Sequence, residues 1–306
     1  MNRRKMIAIL GMMPLISACV PRVTTNEMNI LATTSQIGDI VQQLVGDTVS
    51  HSTLIRTGLD PHTYKATQSD LQRFNDARII LYNGLNLEAS LERVLTQMPG
   101  SKRVASIADA LDPSELLTGE HGGALDPHIW FDISLWRKAV AFVANVLQET
   151  DSALASIIAQ RLPTYDASLA LLHDELTTQL TQIAPEQRVL ITAHDAFGYF
   201  GRSYGFEVLG IQGLSTASEA GIQDMSQLAD EIVSRNVPAI FVESTVSPRT
   251  IEALQSAVAA RGGSVKLGGE LYSDSLGDIN TAAATYIGMM RHNVQTIVTA
   301  LKGEAK

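Results

Sequence analysis

Cysteine and basic residues are scarce in this sequence. Cys19 is the one cysteine among 306 residues, so no disulfide can form within the chain and stability must come from packing. Lys and Arg number 23 against 32 Asp and Glu, which argues against binding of nucleic acid or anionic substrates by bulk charge. A His-Glu-x-x-His motif, a signature of zinc metalloproteases, does not occur. The composition is otherwise that of an ordinary globular protein, long enough for two domains.

Long hydrophobic runs are missing as well. Met6–Ile16 is apolar and follows a basic start, but it is too short for a membrane span and is typical of a signal peptide. It ends in the sequence LISAC, at Leu15–Cys19. A signal peptide that ends in small residues just before a cysteine resembles a bacterial lipobox. This resemblance implies cleavage before Cys19 and attachment of lipid to its sulfur and to the new N-terminus.

The lipobox divides the start of the chain into two predicted segments. Residues 1–18 are expected to be a lipoprotein signal peptide, and the polar residues 19–27 a tether. Two acyl chains anchor a protein far better than one, so the mature protein should lie on the extracytoplasmic membrane surface without spanning it. The alternative is an ordinary signal peptide cut near Ala18, which would leave Cys19 as an incidental free thiol.

The remaining sequence alternates between predicted strands and helices in two separate segments. Short apolar runs predict the strands Met28–Thr33, Val49–Ile55, Arg78–Tyr82 and Arg103–Ser106, then Arg188–Thr192, Phe206–Gly210, Ala239–Val242 and Ser264–Leu267. Amphipathic stretches between them predict helices. Strands that alternate with helices favour a mainly parallel sheet covered on both faces. The fold class is therefore α/β.

A single long helix is predicted between the two segments. Apolar residues recur three and four positions apart over Thr164–Ile183, and prolines stand at both ends of this stretch. We therefore expect an N-terminal α/β lobe at 28–162, a linking helix at 163–184 and a C-terminal α/β lobe at 185–306. A ligand would bind in the cleft between the lobes.

The tripeptide Asp-Pro-His occurs twice, ending at His62 and at His128. Asp-Pro is a common turn opener, because proline fixes φ and the Asp side chain can accept a hydrogen bond from the nearby backbone. His62 follows a predicted strand, as does His194 in the sequence ITAHDAF, and His128 lies in the loop after another. Asp274 also lies beyond a strand. Ligands of open α/β sheets bind at the carboxyl ends of strands, so these four residues are expected to converge.

Three imidazoles and a carboxylate suit a first-row divalent metal. Neutral histidine is a ligand for zinc, copper, iron and nickel, and carboxylate also suits manganese. For any one histidine taken alone, a hydrogen-bonded loop residue is the favoured explanation, and the metal site is inferred from the set. Glu243, at the end of a strand, either orients a ligand histidine or caps the next helix. His121, in the loop sequence GEHGG, is either an extra ligand or a plain loop residue; His173 and His292 lie off the apolar stripes of their helices and are expected at the surface.

Five segments in order over nearly the whole mature chain resemble the motifs of one family. They are GLDPHTYKATQSD, LDPHIWFD, TAHDAFGYFGRSYGFEV, GLSTASEA and GGELYSDSLGD. They look like those of the TroA-like metal-binding lipoproteins of manganese, zinc and iron ABC transporters. The resemblance implies two α/β lobes bridged by one long helix, with the metal ion between the lobes. Its four metal ligands fall on His62, His128, His194 and Asp274.

The resemblance also implies a function. The expected protein is no enzyme: it captures Mn²⁺, Zn²⁺ or Fe²⁺ as cargo and delivers the ion to an ABC permease with its ATPase. We expect a monomer. Zinc members of the family often carry a His-rich loop, whereas Ile107–Pro127 holds only His121, and many manganese members have Glu where this chain has His194. The sequence therefore leaves open which of these metals the protein binds. The alternatives are a zinc-dependent hydrolase, which would need an open coordination position, and an adhesin-type surface lipoprotein.

The lipobox predicts that Cys19 determines membrane attachment. In a Cys19→Ala variant expressed in a bacterial host, the protein should leave the membrane fraction, because neither acyl chain can be attached. Metal binding by the released protein should be unchanged. Fractionation followed by immunoblotting measures this, and a Cys19→Ala protein that still sediments with membranes would contradict the lipobox.

Overall fold

The structure is a computed structural model that describes residues 29–98, 100–119, 123–218 and 221–302. The predicted signal peptide, the tether with Cys19, and His121 lie outside these ranges. Across the described residues, the helices lack the combination of length and apolar character that a membrane crossing requires.

The N-terminal lobe is a four-stranded parallel sheet with helices packed on it. Its elements in chain order are β1 Asn29–Ala32, α1 Ser35–Val45, β2 Ser50–Thr53, α2 Gln68–Asp76, β3 Ile79–Tyr82, α3 Ala89–Leu95, β4 Arg103–Ser106 and α4 Ile133–Thr150. The strand order is β2-β1-β3-β4, and every pair is parallel. The predicted strands are confirmed here. All four carboxyl ends therefore lie at one edge of the sheet.

The C-terminal lobe repeats the strand–helix alternation. Its elements are β5 Val189–His194, α6 Gly198–Tyr204, β6 Glu207–Gln212, α7 Ile222–Arg235, β7 Ala239–Glu243, α8 Arg249–Ala260, β8 Lys266–Leu271 and α9 Tyr286–Leu301. In the described chain, β5 pairs with β6 and β7 with β8, both in parallel, and β5 contacts β7. The predicted α/β class with parallel sheets is confirmed.

One predicted strand ended too early. Ser264–Leu267 was expected, but β8 runs from Lys266 to Leu271, through Gly268 and Gly269. A Cβ on Gly268 would lie 2.6 Å from the ring of Phe241, so glycine lets β8 approach β7. Gly269 has a φ of +125°, which other residues rarely adopt, and the register shifts opposite it. The two glycines, which resemble a turn in the sequence, form a bulge within the strand.

The long helix is present, but its predicted bounds were wrong. The predicted helix covered 163–184, whereas α5 runs from Ala155 to Leu180. A 3-10 turn at Ser152–Leu154 leads directly into the helix, and the Asp151 side chain caps that turn by accepting a hydrogen bond from the backbone N–H of Ala153 at 2.9 Å. Pro163 therefore lies inside the helix, where it removes one backbone donor.

Packing on both lobes outweighs the cost of this proline. A proline inside a helix costs about 3 kcal/mol relative to alanine. Against this, α5 buries Leu169, Leu172 and Leu176 completely, and each fully buried leucine contributes about 1.5–3 kcal/mol. The helix contacts α1 and α4 of the first lobe and α9 of the second. A single hydrophobic cluster thus continues through all four helices and holds the two lobes on one shared core.

Candidate metal centre

The two Asp-Pro-His tripeptides form the same turn. The Oδ1 atom of Asp60 accepts a hydrogen bond from the backbone N–H of His62 at 2.8 Å. The Oδ1 atom of Asp126 accepts one from the backbone N–H of His128 at 2.9 Å. The proline between them fixes φ, so each turn presents its histidine from a stiff backbone. This shared geometry explains why the tripeptide occurs twice.

Asp126 has a second contact beyond the turn. Its Oδ1 also lies 2.7 Å from Nδ1 of His128. An ionised carboxylate only accepts hydrogen bonds, so Nδ1 carries the proton and Nε2 keeps its lone pair. Asp126 closes the turn and also selects the tautomer in which Nε2 of His128 can bind a metal.

Glu243 contacts His194 from the neighbouring strand. His194 is the last residue of β5 and Glu243 the last residue of β7. Oε1 of Glu243 accepts a hydrogen bond from the backbone N–H of His194 at 2.9 Å, and Oε2 lies 2.6 Å from its Nδ1. Helix α8 begins after Pro248 without a side-chain cap. Of the two roles open for Glu243, the contacts favour orienting the histidine.

The four predicted residues come together at the carboxyl ends of strands from both lobes. The Nε2 atoms of His62 and His128 are 3.3 Å apart. Oδ2 of Asp274 lies 3.3 Å from Nε2 of His194 and 3.8 Å from Nε2 of His62, and its Oδ1 lies 3.5 Å from Nε2 of His128. One ligand atom from each residue lies within 4.8 Å of the others. Ligands held tetrahedrally at about 2.0–2.1 Å from zinc would be about 3.3–3.4 Å apart, close to these distances.

Burial makes the cluster suitable for a cation. Asp274 is 2% exposed and His62, the most exposed of the four, is 6% exposed. Within the described residues, neither carboxylate oxygen of Asp274 has a hydrogen-bond donor in acceptable geometry, nor does Nε2 of His194. A buried charge without compensation costs several kcal/mol. A divalent ion bound between these atoms would supply the missing partner, so the donor set fits a metal.

The pKa values reflect this crowding. Burial lowers the pKa of His62 to about 4; the Asp274 carboxylate opposes the shift, and His128 and His194 add to it. Burial also disfavours a charge on His194, but Glu243 and Asp274 outweigh it and hold the pKa of His194 well above its usual range. For Asp274, the three imidazoles outweigh burial and hold its pKa well below its usual value. Asp274 is therefore anionic at neutral pH and attracts a cation.

Two other described histidines, His173 and His292, lie outside this cluster. Nε2 of His292, which is exposed as predicted, is 3.0 Å from the backbone oxygen of Glu270. The prediction that His173 lies free at the surface was wrong: its ring packs 5.7 Å from that of Tyr204, and its Nδ1 is buried. In the described ranges, the four-residue cluster is the single group of three or more His, Cys, Asp or Glu arranged to hold a metal.

Two lobes on one long helix, with a buried three-histidine, one-aspartate cluster between them, define a class of solute-binding proteins. The family described as zinc-uptake complex component A, periplasmic (ZnuA), matches residues 30–300. This chain belongs to that family.

Individual relatives agree in sequence and in fold. The chain is 42% identical over 272 residues to the zinc-binding protein TroA of Treponema pallidum, covering 89% of this chain and 88% of the relative. It is 39% identical over 276 residues to the manganese-binding lipoprotein MntA of Bacillus subtilis, covering 90% of both. The solved structure of the periplasmic zinc-binding protein TroA from T. pallidum matches with a TM-score of 0.88, over 90% of this chain and 100% of that one.

The contacts of Glu243 predict a loss of metal affinity when its charge is removed. In Glu243→Gln the amide would place a donor against either the backbone N–H or the Nδ1–H of His194. The ring would then turn or change tautomer, and Zn²⁺ affinity should fall by about 10- to 100-fold. Competition with a chromophoric chelator measures this.

The matched control is Glu175→Gln, which removes an exposed partner of Arg291. It should leave Zn²⁺ affinity unchanged. Wild-type affinity in Glu243→Gln would show that the carboxylate does not orient His194.

Proposed function

We propose that this protein is an extracytoplasmic lipoprotein that captures one divalent transition metal and delivers it to the permease of an ABC importer. His62, His128, His194 and Asp274 are its ligands. The observation that carries the proposal is the buried Asp274 carboxylate, which faces three imidazole Nε2 atoms and has no hydrogen-bond donor among the described residues. Relatives named for zinc binding and for manganese binding support it.

The donor set accepts either zinc or manganese. Three imidazoles alone suit zinc, and almost any such site binds zinc more tightly than manganese. The two oxygens of Asp274 face different imidazoles, so the carboxylate can also bind an ion through both atoms. A fifth, anionic ligand atom suits the harder Mn²⁺. Availability of the ions then decides which one the protein carries.

A hydrolytic role is disfavoured by the enclosure of the site. A catalytic zinc needs an open coordination position for water and for substrate. Here the four ligands come from both lobes and are at most 6% exposed, and His128 and His194 are completely buried. The ion would be enclosed as cargo, so the proposed protein is a transport component and not an enzyme.

The proposed location and partners rest on the lipobox at Cys19 and on the family. The mature chain is attached through lipid on Cys19 and held by the tether at 19–27 on the outer side of the cytoplasmic membrane. It acts as a monomer and passes its ion to a permease coupled to an ATPase. The name of the B. subtilis relative, a manganese-binding lipoprotein, supports the anchor.

The ligand assignment predicts a thermal shift. A ligand that binds only the folded state stabilises it by about 4 kcal/mol at a thousandfold excess over Kd. The wild-type protein should therefore melt several degrees higher with Zn²⁺ or Mn²⁺ than after chelation. His62→Ala, His128→Ala, His194→Ala and Asp274→Ala should each lose most of this increase.

His292→Ala is the matched control and should keep the increase, because His292 is exposed and outside the cluster. His173 is a poorer control because its ring packs on Tyr204. An undiminished increase in His62→Ala or His128→Ala, measured by differential scanning fluorimetry, would rule out this site.

A further inference from the structure

The backbone before His128 is held by a buried asparagine. Asn83 follows β3 directly and is 1% exposed. Its Nδ2 donates to the backbone oxygen of Pro127 at 2.9 Å and to that of Gly84 at 3.1 Å. The side chain of Asn83 thus reaches across 44 positions of sequence to the residue that precedes the histidine.

Asn83 is itself fixed by a buried carboxyl group. Oε1 of Glu88 accepts hydrogen bonds from the backbone N–H of Asn83 at 2.9 Å and from the hydroxyl of Thr33 at 2.5 Å. Glu88 is completely buried, and burial raises its pKa against the effect of these hydrogen bonds. The end of β1, the end of β3 and the His128 turn are therefore connected through one buried network.

Two tyrosines donate hydrogen bonds to backbone oxygens on either side of His128. Tyr199, in α6, donates its hydroxyl hydrogen to the backbone oxygen of Asp126 at 3.1 Å. Tyr286, in α9, donates to the backbone oxygen of Trp130 at 2.6 Å. Both rings are completely buried, and both helices belong to the second lobe. The His128 turn therefore has one anchor in its own lobe and two in the other.

The other Asp-Pro-His turn, at Asp60–His62, lacks such support. In the described part of the chain, no side chain donates to the backbone oxygens of Asp60, Pro61 or His62. That turn is fixed through the Asp60 carboxylate, which accepts hydrogen bonds from the hydroxyls of Thr63 and Thr216 at 2.8 and 2.6 Å. Two turns with the same Asp-Pro-His sequence therefore differ in how they are held: side chains donate to backbone oxygens around His128 but, among the described residues, not to those of Asp60, Pro61 or His62. The difference indicates that the backbone around His128 is held by more side chains than the backbone around His62.

We infer that Asn83, Tyr199 and Tyr286 are positioning residues, which hold the turn so that Nε2 of His128 lies at the metal position. The inference rests on the proposed function. The three side chains touch backbone oxygens and not the ion, so they act through His128. Because a metal ligand must be placed within a few tenths of an ångström, releasing one of these carbonyls shifts Nε2 and weakens binding.

Tyr199→Phe and Tyr286→Phe test this with little change in shape. Each removes one hydroxyl, and Zn²⁺ affinity should fall by about tenfold. Asn83→Ala should weaken it further. Tyr204→Phe is the matched control: it lies in the same helix as Tyr199, and within the described residues its buried hydroxyl has no hydrogen-bond partner. Tyr204→Phe should keep wild-type affinity.

Two further readouts separate positioning from general loss of stability. The ligand-field spectrum of bound Co²⁺ should change in Tyr199→Phe and Tyr286→Phe but not in Tyr204→Phe. The affinity loss should also disappear when the same changes are made in His128→Ala, and persist in His62→Ala, because the effect passes through His128.

The outcomes distinguish this inference from the proposed function. If the wild-type protein binds Zn²⁺ and both phenylalanine variants match it, the positioning role is wrong and the metal site stands. If the loss is as large in His128→Ala as in the wild type, the hydroxyls act on the fold and not on the ligand, which also overturns the inference. If the wild-type protein binds neither Zn²⁺ nor Mn²⁺, both proposals fail.

Discussion

The structure depends on one electrostatic constraint, the buried charge of Asp274. The three imidazoles hold its pKa well below the usual value, so it is ionised, yet no donor among the described residues satisfies its oxygens. Leaving such a charge without a partner costs several kcal/mol. In the absence of a metal the compensating charge is a proton on His194, whose pKa is raised by Glu243 and Asp274. A divalent cation bound by all four residues would replace that proton and satisfy both oxygens of Asp274. A bound divalent ion would complete this otherwise closed arrangement.

The position of Asp274 is set from the opposite lobe. Its loop follows β8 in the second lobe, but the neighbouring residues bond to the first. Nε1 of Trp130 donates to the backbone oxygen of Ser273 at 3.0 Å, and the backbone N–H of Gly58 donates to the hydroxyl of Ser275 at 3.0 Å. The loop that carries Asp274 is therefore held on both sides by the lobe that supplies His62 and His128. These hydrogen bonds join the two lobes beside the proposed metal site.

The sequence revealed those parts of the site that depend on local chemistry. The repeated Asp-Pro-His turn, and the position of His194 and Asp274 after strands, were enough to select all four clustered residues. Rules based on local sequence gave the wrong helix boundary where contacts with distant residues determine it. Pro163 suggested a helix start but lies within α5, because the helix already begins at Ala155, after the turn that Asp151 caps, and helices of both lobes pack on it.

Residues that act across long sequence distances could not be found from the sequence. Asn83, Tyr199 and Tyr286 contact the His128 turn from 44, 73 and 156 positions away, and no spacing or motif indicates this. Glu243 was recognised as a candidate, but its choice between two roles required the distance to Nδ1 of His194.

X-ray absorption at the zinc edge, on protein loaded with one equivalent of Zn²⁺, tests the central claim most directly. It counts the imidazoles around the ion without relying on loss of function. The predicted result is three histidine nitrogens and a carboxylate oxygen at about 2.0–2.2 Å, with the imidazole signal reduced by one in His194→Ala. A first shell of water oxygens with fewer than two imidazoles would contradict the account.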